Sequence, residues 1–198
     1  MAGAMNVVIE GYEDVVNQIS SMRRDSAKVI NRTIGDFRTR GPGWVSQEVV
    51  KEYNIKKQEI NSSKKGVKCA GKVRVGGVSL DNLEIHYRGR LLTPTHFSMK
   101  PTSRPANGRA YTVTAQIKKG EGRKALSHKA FLAKSGREGT VQIPFQRVGA
   151  ARLPINPIKT VSVPQMITNE TVAENIHKRI NEELGKRLEH NLHRILGN

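Results

Sequence analysis

The chain is almost without cysteine: Cys69 stands alone in 198 residues. No intrachain disulfide can form, so synthesis in a reducing compartment is the default expectation, with Cys69 a small packed hydrophobe. Aromatic residues are scarce as well. One Trp, four Tyr and four Phe make up 5% of the chain, and none is interleaved with bases as in a stacking platform for nucleic acid. No apolar run approaches the ~20 residues that a membrane span needs. The opening Met1-Ala2-Gly3-Ala4-Met5 lacks a basic stretch followed by an apolar one, so no signal peptide is expected.

Arrangements that carry catalysis are missing too. Gly71 to Gly77 has the glycine spacing of a phosphate loop but not the Lys-Ser/Thr that reaches phosphate and magnesium. Gly120-Glu121-Gly122 has no third glycine and reads as a basic turn. His190 and His193 lie three apart beside Glu189, without the cysteine or second carboxylate cluster of a metal site, and read as solvated surface histidines. His96 has no nucleophile at a partnered spacing. The acids of the central region are scattered singly, which leaves a two-metal nuclease without ligands. The expectation is no enzyme, no cofactor and no metal.

Charge is what the chain has, and it is unevenly placed. The formal net charge is +17, yet residues 1–20 carry Glu10, Glu13 and Asp14 and no base. Residues 169–198 carry five acids and five bases. Residues 21–153 hold 28 Lys/Arg against 9 Asp/Glu. A solvated face is the plain reading of any single Lys/Arg run, but so large an excess over one region implies a polyanionic partner, bound through phosphates without base readout.

The hydrophobic pattern predicts one α+β domain: N-terminal helices, a central antiparallel β-sheet and a long C-terminal helix packed on the sheet. Residues 1–65 read as a strand plus a helical region. Asn6-Val7-Val8-Ile9-Glu10 is the strand; Val15, Val16, Ile19, Met22, Ile30, Ile34 and Phe37 then follow helical spacing. Gly41-Pro42-Gly43 is expected to break or kink that helix. Residues 66–150 read as a β-rich basic body. Val67, Cys69, Val73 and Val75 alternate with Lys68, Lys72 and Arg74, and Leu83, Ile85 and Tyr87 alternate with Glu84, His86 and Arg88. Tyr111 to Lys118 alternates most cleanly, and Ala130–Ala133 with Val141–Phe145 forms a strand pair in which Pro144 predicts an edge or a short strand.

Residues 151–167 are a proline connector. Residues 168–196 are the long helix, with Thr171 to Glu174 available as a capping box. Its apolar residues Val172, Ile176, Ile180, Leu184, Leu188, Leu192 and Leu196 recur every four positions, so the stripe winds by about 40° per step. Either the helix meets its own domain at one end and another chain at the other, or it bends around one core. On the first alternative Ile176, Ile180, Leu184 and Leu188 take part in a subunit contact. The basic side chains expected to face DNA or an acidic neighbour are Lys68, Lys72, Arg74, Lys118, Lys119, Arg123 and Lys124.

The order of these features resembles the minor tail protein Z family of tailed bacteriophages and prophages. The resemblance rests on Ile30-Asn31-Arg32-Thr33, on Tyr53-Asn54-Ile55-Lys56-Lys57, and on Lys118-Lys119-Gly120 followed by Lys129-Ala130-Phe131-Leu132-Ala133-Lys134. It continues through Gly136-Arg137-Glu138-Gly139 and Leu153-Pro154-Ile155 to Pro157, Val161 and Pro164 before the final helix, and so covers residues 25–196. The chain departs from the family where Val141-Gln142-Ile143-Pro144-Phe145 displaces an arginine after the glycine turn, and at Gly41-Pro42-Gly43. The resemblance implies a structural protein at the head-proximal end of the tail, in the virion neck, made in the host bacterial cytoplasm. It would act in tail completion, head–tail joining and DNA passage. The implied partners are further copies in a hexameric ring, the tail terminator or tube protein, the head connector and the genomic DNA in the channel, with no membrane. Two other expectations fit the same charge map: a free non-specific nucleic-acid-binding protein, and a terminator or collar protein of a contractile tail-like particle.

Overall fold

Val29, Ile34, Phe37, Trp44, Val45 and Val49 are buried along one helix, α1 (Asp25–Glu52), which sets the axis of the fold. The computed structural model describes residues 25–61, 70–106, 109–127, 129–135 and 141–196. The expected strand at Asn6–Glu10, the helix before Asp25, Cys69 and Lys68 lie outside them. After α1 come the four-residue α2 (Lys57–Ile60), the hairpin β1 (Gly71–Gly76) and β2 (Glu84–Gly89), and six short strands. These are β3 (Ser98–Lys100), β4 (Thr114–Gln116), β5 (Lys124–Ala125), β6 (Phe131–Lys134), β7 (Gln142–Arg147) and β8 (Ile155–Pro157). The five-residue α3 (Val163–Ile167) and the long α4 (Glu170–Leu196) complete an α+β fold.

The expected break is absent: α1 runs unbroken through Gly41-Pro42-Gly43. A proline inside a helix costs ~3 kcal/mol or more. Phe37 before it and Trp44, Val45 and Val49 after it are all buried in one cluster, and each contributes about 1.5–3 kcal/mol. Packing outweighs the lost bond. Gly41 belongs to the same solution, because a Cβ there would meet Ile85 Cδ1 at 3.1 Å. The Pro42 carbonyl accepts from Asn61 Nδ2 at 2.7 Å.

The sheet arrangement also differs from the single central sheet expected. The strands form three antiparallel sheets, β1-β2, β3-β4-β5 and β6-β7-β8. The expected β6–β7 pair is present, with Phe131 opposite Phe145. Pro144, however, lies in the middle strand of three. Ile158 N–H donates to its carbonyl at 2.9 Å, so its missing donor faces the β8 side just where that ladder ends. The proline terminates one ladder without disturbing the other.

The C-terminal helix packs along α1, a correction to the expectation that it covers the sheet. Val172, Ile176, Ile180, Leu184 and Leu188 all enter the same cluster as the α1 core, with Leu192 and Ile195 partly buried against it. The winding stripe therefore serves one core. The two helices are also pinned by a polar contact: buried Asn191 donates from Nδ2 to Thr33 Oγ1 at 3.2 Å and to Asp36 Oδ2 at 3.1 Å. Thr171 does not cap α4, since the first turn opens earlier, with Ala173 N–H donating to the Asn169 carbonyl. A capping box forms instead at α3, between Ser162 and Gln165. Among the described residues no helix is long and apolar enough to cross a membrane.

Candidate nucleic-acid interface

The β1–β2 hairpin is amphipathic because both strands alternate in phase. Ile85 and Tyr87 point into the α1 core and are fully buried, with Val73 and Val75 packed against it. The Tyr87 hydroxyl lies 3.2 Å from Asn61 Oδ1, and burial pushes its pKa well above the ordinary tyrosine range, so it stays protonated. The inner side is close enough to α3 that glycines are needed there. Gly71 and Gly89 face each other across the hairpin, and a Cβ on either would meet α3, Val163 Cβ or Pro164 Cδ, at 3.2 Å.

The opposite face carries bases, and the register stacks them. Lys72 sits directly across from Arg88, and Arg74 directly across from His86. Lys72, Arg74 and Arg88 are exposed, as is Arg90 just beyond the strand. Directly opposed side chains have Cβ atoms about 4.5–5.5 Å apart, and like charges so placed are destabilising. The acid on this face is Glu84, opposite Gly76, and it bonds to His86 Nε2 at 3.0 Å. Lys72, Arg74 and Arg88 have no acidic partner among the described residues.

The 118–124 loop is different. Its backbone is stapled to the end of α1: Asn54 N–H donates to the Ile117 carbonyl and Lys119 N–H to the Glu52 carbonyl, each at 2.8 Å. Lys118 Nζ lies 3.8 Å from Glu52 Oε1 and 5.8 Å from the Tyr53 ring centroid. Burial, then the carboxylates of Glu52 and Glu121, push the Tyr53 hydroxyl pKa up. Arg123 donates to the Ser98 carbonyl at 2.5 Å and to Ser98 Oγ at 2.9 Å. Lys124 pairs with Glu121 at 2.6 Å, and this bond and charge hold the Glu121 carboxyl below its usual range. Three of the four loop bases named from sequence thus have acceptors within the chain. Lys119 is exposed and has no side-chain acceptor among the described residues.

The structure therefore brings Lys72 and Arg74 together with Arg88 and His86, which sequence reasoning left out of the site. Period 2 already placed His86 and Arg88 opposite the apolar phase; the missing information was the strand register. Ile176, Ile180, Leu184 and Leu188 pack into the core of their own chain. Their exposures are 0%, 0%, 0% and 7%. One polar pair carried no sequence signal: His96 Nδ1 lies 2.5 Å from Glu59 Oε2, joining residues 37 apart, with both side chains largely buried. His193 and Glu189 are exposed and 4.0 Å apart. Among the described residues no group of three or more His, Cys, Asp or Glu could hold a metal ion. No protein-family model, curated protein or solved structure matches this chain.

Proposed function

We propose that this protein is a structural component of the head-proximal end of a bacteriophage tail. It would be a tail-completion or neck protein whose copies form a ring, six by expectation, around the path of the DNA. Its neighbours would be the tail terminator or tube protein and the head connector. The observation that carries this reading is the Lys72–Arg88 and Arg74–His86 ladder. The like charges of Lys72 and Arg88, directly opposed, cost the free chain roughly 0.2–1 kcal/mol. A polyanion converts that cost into a gain by releasing counterions to the solvent. The contact reads phosphate and no base, because side chains on an open strand pair present no recognition helix to a groove. Repeated around a ring, a few bases per copy suffice for passing DNA without holding it at one sequence.

Two measurements test the reading together. Binding to duplex DNA of mixed sequence weakens with salt, and the slope of log affinity against log salt falls by about 0.9 for each phosphate contact removed by Lys72→Gln, Arg74→Gln or Arg88→Gln. Mass measurement with and without purified tail tubes should show ring-sized assemblies on the tubes. Tight DNA binding by a monomer that never assembles overturns the tail assignment in favour of a free nucleic-acid-binding protein. Affinity indifferent to salt overturns the electrostatic contact itself.

A further inference from the structure

The sheet β6-β7-β8 has two faces of opposite character. Leu132 and Pro144, paired across β6 and β7, are buried on the inner one. Strand alternation turns Phe131, Ala133, Ile143 and Phe145 to the other side. Phe131 and Phe145 are half-buried and pack into neither apolar cluster of the molecule. Register sets them directly opposite each other, with ring centroids 6.3 Å apart and planes 27° from parallel. Pro157 of β8 continues the row beyond Phe145. Arg147, on the same face, holds its guanidinium 5.8 Å from the Phe131 ring centroid. Residue order hid the pair, since each Phe stands alone in its own strand.

Charge completes the face. The three strands hold no Asp or Glu. Their antiparallel order brings the start of β6, the end of β7 and the start of β8 to one end of the sheet, the end that carries the two rings. Lys129 just before β6, Arg147 closing β7 and Arg152 in the turn that follows lie in or next to that end. All three are exposed, and none has an ion pair among the described residues.

We propose that this face binds single-stranded nucleic acid, with a base stacked on Phe145 and the adjoining phosphates met by Arg147, Lys129 and Arg152. A ring on a sheet face beside unpaired cations supplies both things an unpaired strand needs: a stacking surface for a base and neutralisation of its backbone. Phe131 holds the Arg147 guanidinium by cation–π attraction, which orients a planar group suited to phosphate. A duplex leaves the rings unused, because its bases are already stacked on one another. A second copy of this chain is opposed by charge, since packing face to face sets Arg147 against bases with no acid to receive it. The hairpin offers the converse surface, bases without an aromatic ring on the same face. The two sites therefore divide the ligand: duplex backbone at β1–β2, unpaired bases at β6-β7-β8. Nothing in this contact depends on assembly into a tail.

The test titrates the full chain and its variants against labelled oligo(dT) and against a mixed-sequence duplex, read by fluorescence anisotropy. The parent binds oligo(dT). Phe145→Leu, which keeps an apolar side chain but removes the ring, weakens that binding about tenfold and leaves duplex binding unchanged. Arg147→Gln also weakens it and lowers the slope of log affinity against log salt by about 0.7. Lys72→Gln and Arg88→Gln act the other way, with the larger loss on the duplex. Phe145→Trp retains the ring: it keeps the parent's affinity, and oligo(dT) quenches its emission, whereas the buried Trp44 of the parent is not quenched. A parent that ignores oligo(dT) overturns the proposal and leaves the face to a protein partner. So does a Phe145→Leu variant with the parent's circular dichroism that binds oligo(dT) as the parent does or loses affinity equally for both ligands, or a Phe145→Trp variant whose emission oligo(dT) leaves unchanged.

Discussion

α1, α4 and the β1–β2 hairpin share one apolar cluster that runs from Val29 to Leu188. The six strands β3 to β8 are held by a much smaller one, in which Met99, Val113, Ala130 and Leu132 are the buried members. Buried area sets stability, so the helical half carries the cooperative core and the sheet half is the part that opens at lower free energy. Exposed large apolar side chains stand in both halves, Val78 in the β1–β2 turn and Val141, Val148 and Leu153 in the sheet half. In the helical half the α4 stripe is spent on folding, and the hairpin turns uncompensated bases outward. The lesson is that a long apolar stripe in a sequence announces a core before it announces a partner.

The most severe way to break the comparison is a charge inside the helix pair. Leu184→Asp should cost about 4–5 kcal/mol or more, since it buries an unpaired carboxylate, and loss of all helical signal on chemical denaturation would register it. If the variant stays folded and monomeric while the parent assembles, Leu184 faces a subunit and the present assignment of α4 fails.

Next in size is Leu132→Ala in the smaller cluster, with a cost of about 2–3 kcal/mol. It sharpens the contrast, because the loss should appear as faster hydrogen exchange in β6 to β8 while α1 and α4 keep their protection. Uniform loss across both halves would show one cooperative unit instead of two regions of unequal stability.

Tyr87 probes the boundary between the hairpin and α1. Burial raises its pKa, so the folded state keeps a proton that the unfolded state releases above the ordinary value of 10.0. Its contribution is full below that pH and is lost as pH rises toward the folded value. Tyr87→Phe should lower stability at neutral pH by about 1 kcal/mol through the lost hydroxyl bond. It should also flatten the alkaline decline, measured as denaturation midpoints from pH 8 to 11.

The smallest effect has the opposite sign. Arg88→Glu places a carboxylate across from Lys72 and should stabilise the chain by roughly 0.2–1 kcal/mol. The same change should weaken DNA binding and reduce its salt dependence. Stabilisation without any change in DNA binding would leave the ladder as surface charge alone.

Several of these features were legible from residue order. Period 2 gave the faces of both hairpin strands, and the β6–β7 pair followed from two apolar runs around a glycine turn. The four-residue spacing of α4 matches the buried positions from Val172 to Leu188 but could not name what buries them. Pro42 did not break the helix for a definable reason: a local rule about one lost hydrogen bond was outweighed by buried Phe37 before it and Trp44, Val45 and Val49 after it. Composition counts Lys118, Arg123 and Lys124 as free, whereas Glu52, Ser98 and Glu121 lie within bonding or ion-pair distance of them.

The sequence by itself determined that this is a basic α+β chain with a neutral C-terminal helix, because charge and hydrophobic period are properties of residue order. Only the tertiary structure decided which bases have acceptors within the chain. Opposing Lys72 to Arg88, or Lys118 to Glu52, depends on strand register and on the docking of a loop against the end of α1. Those are settled by long-range packing, which no local pattern encodes.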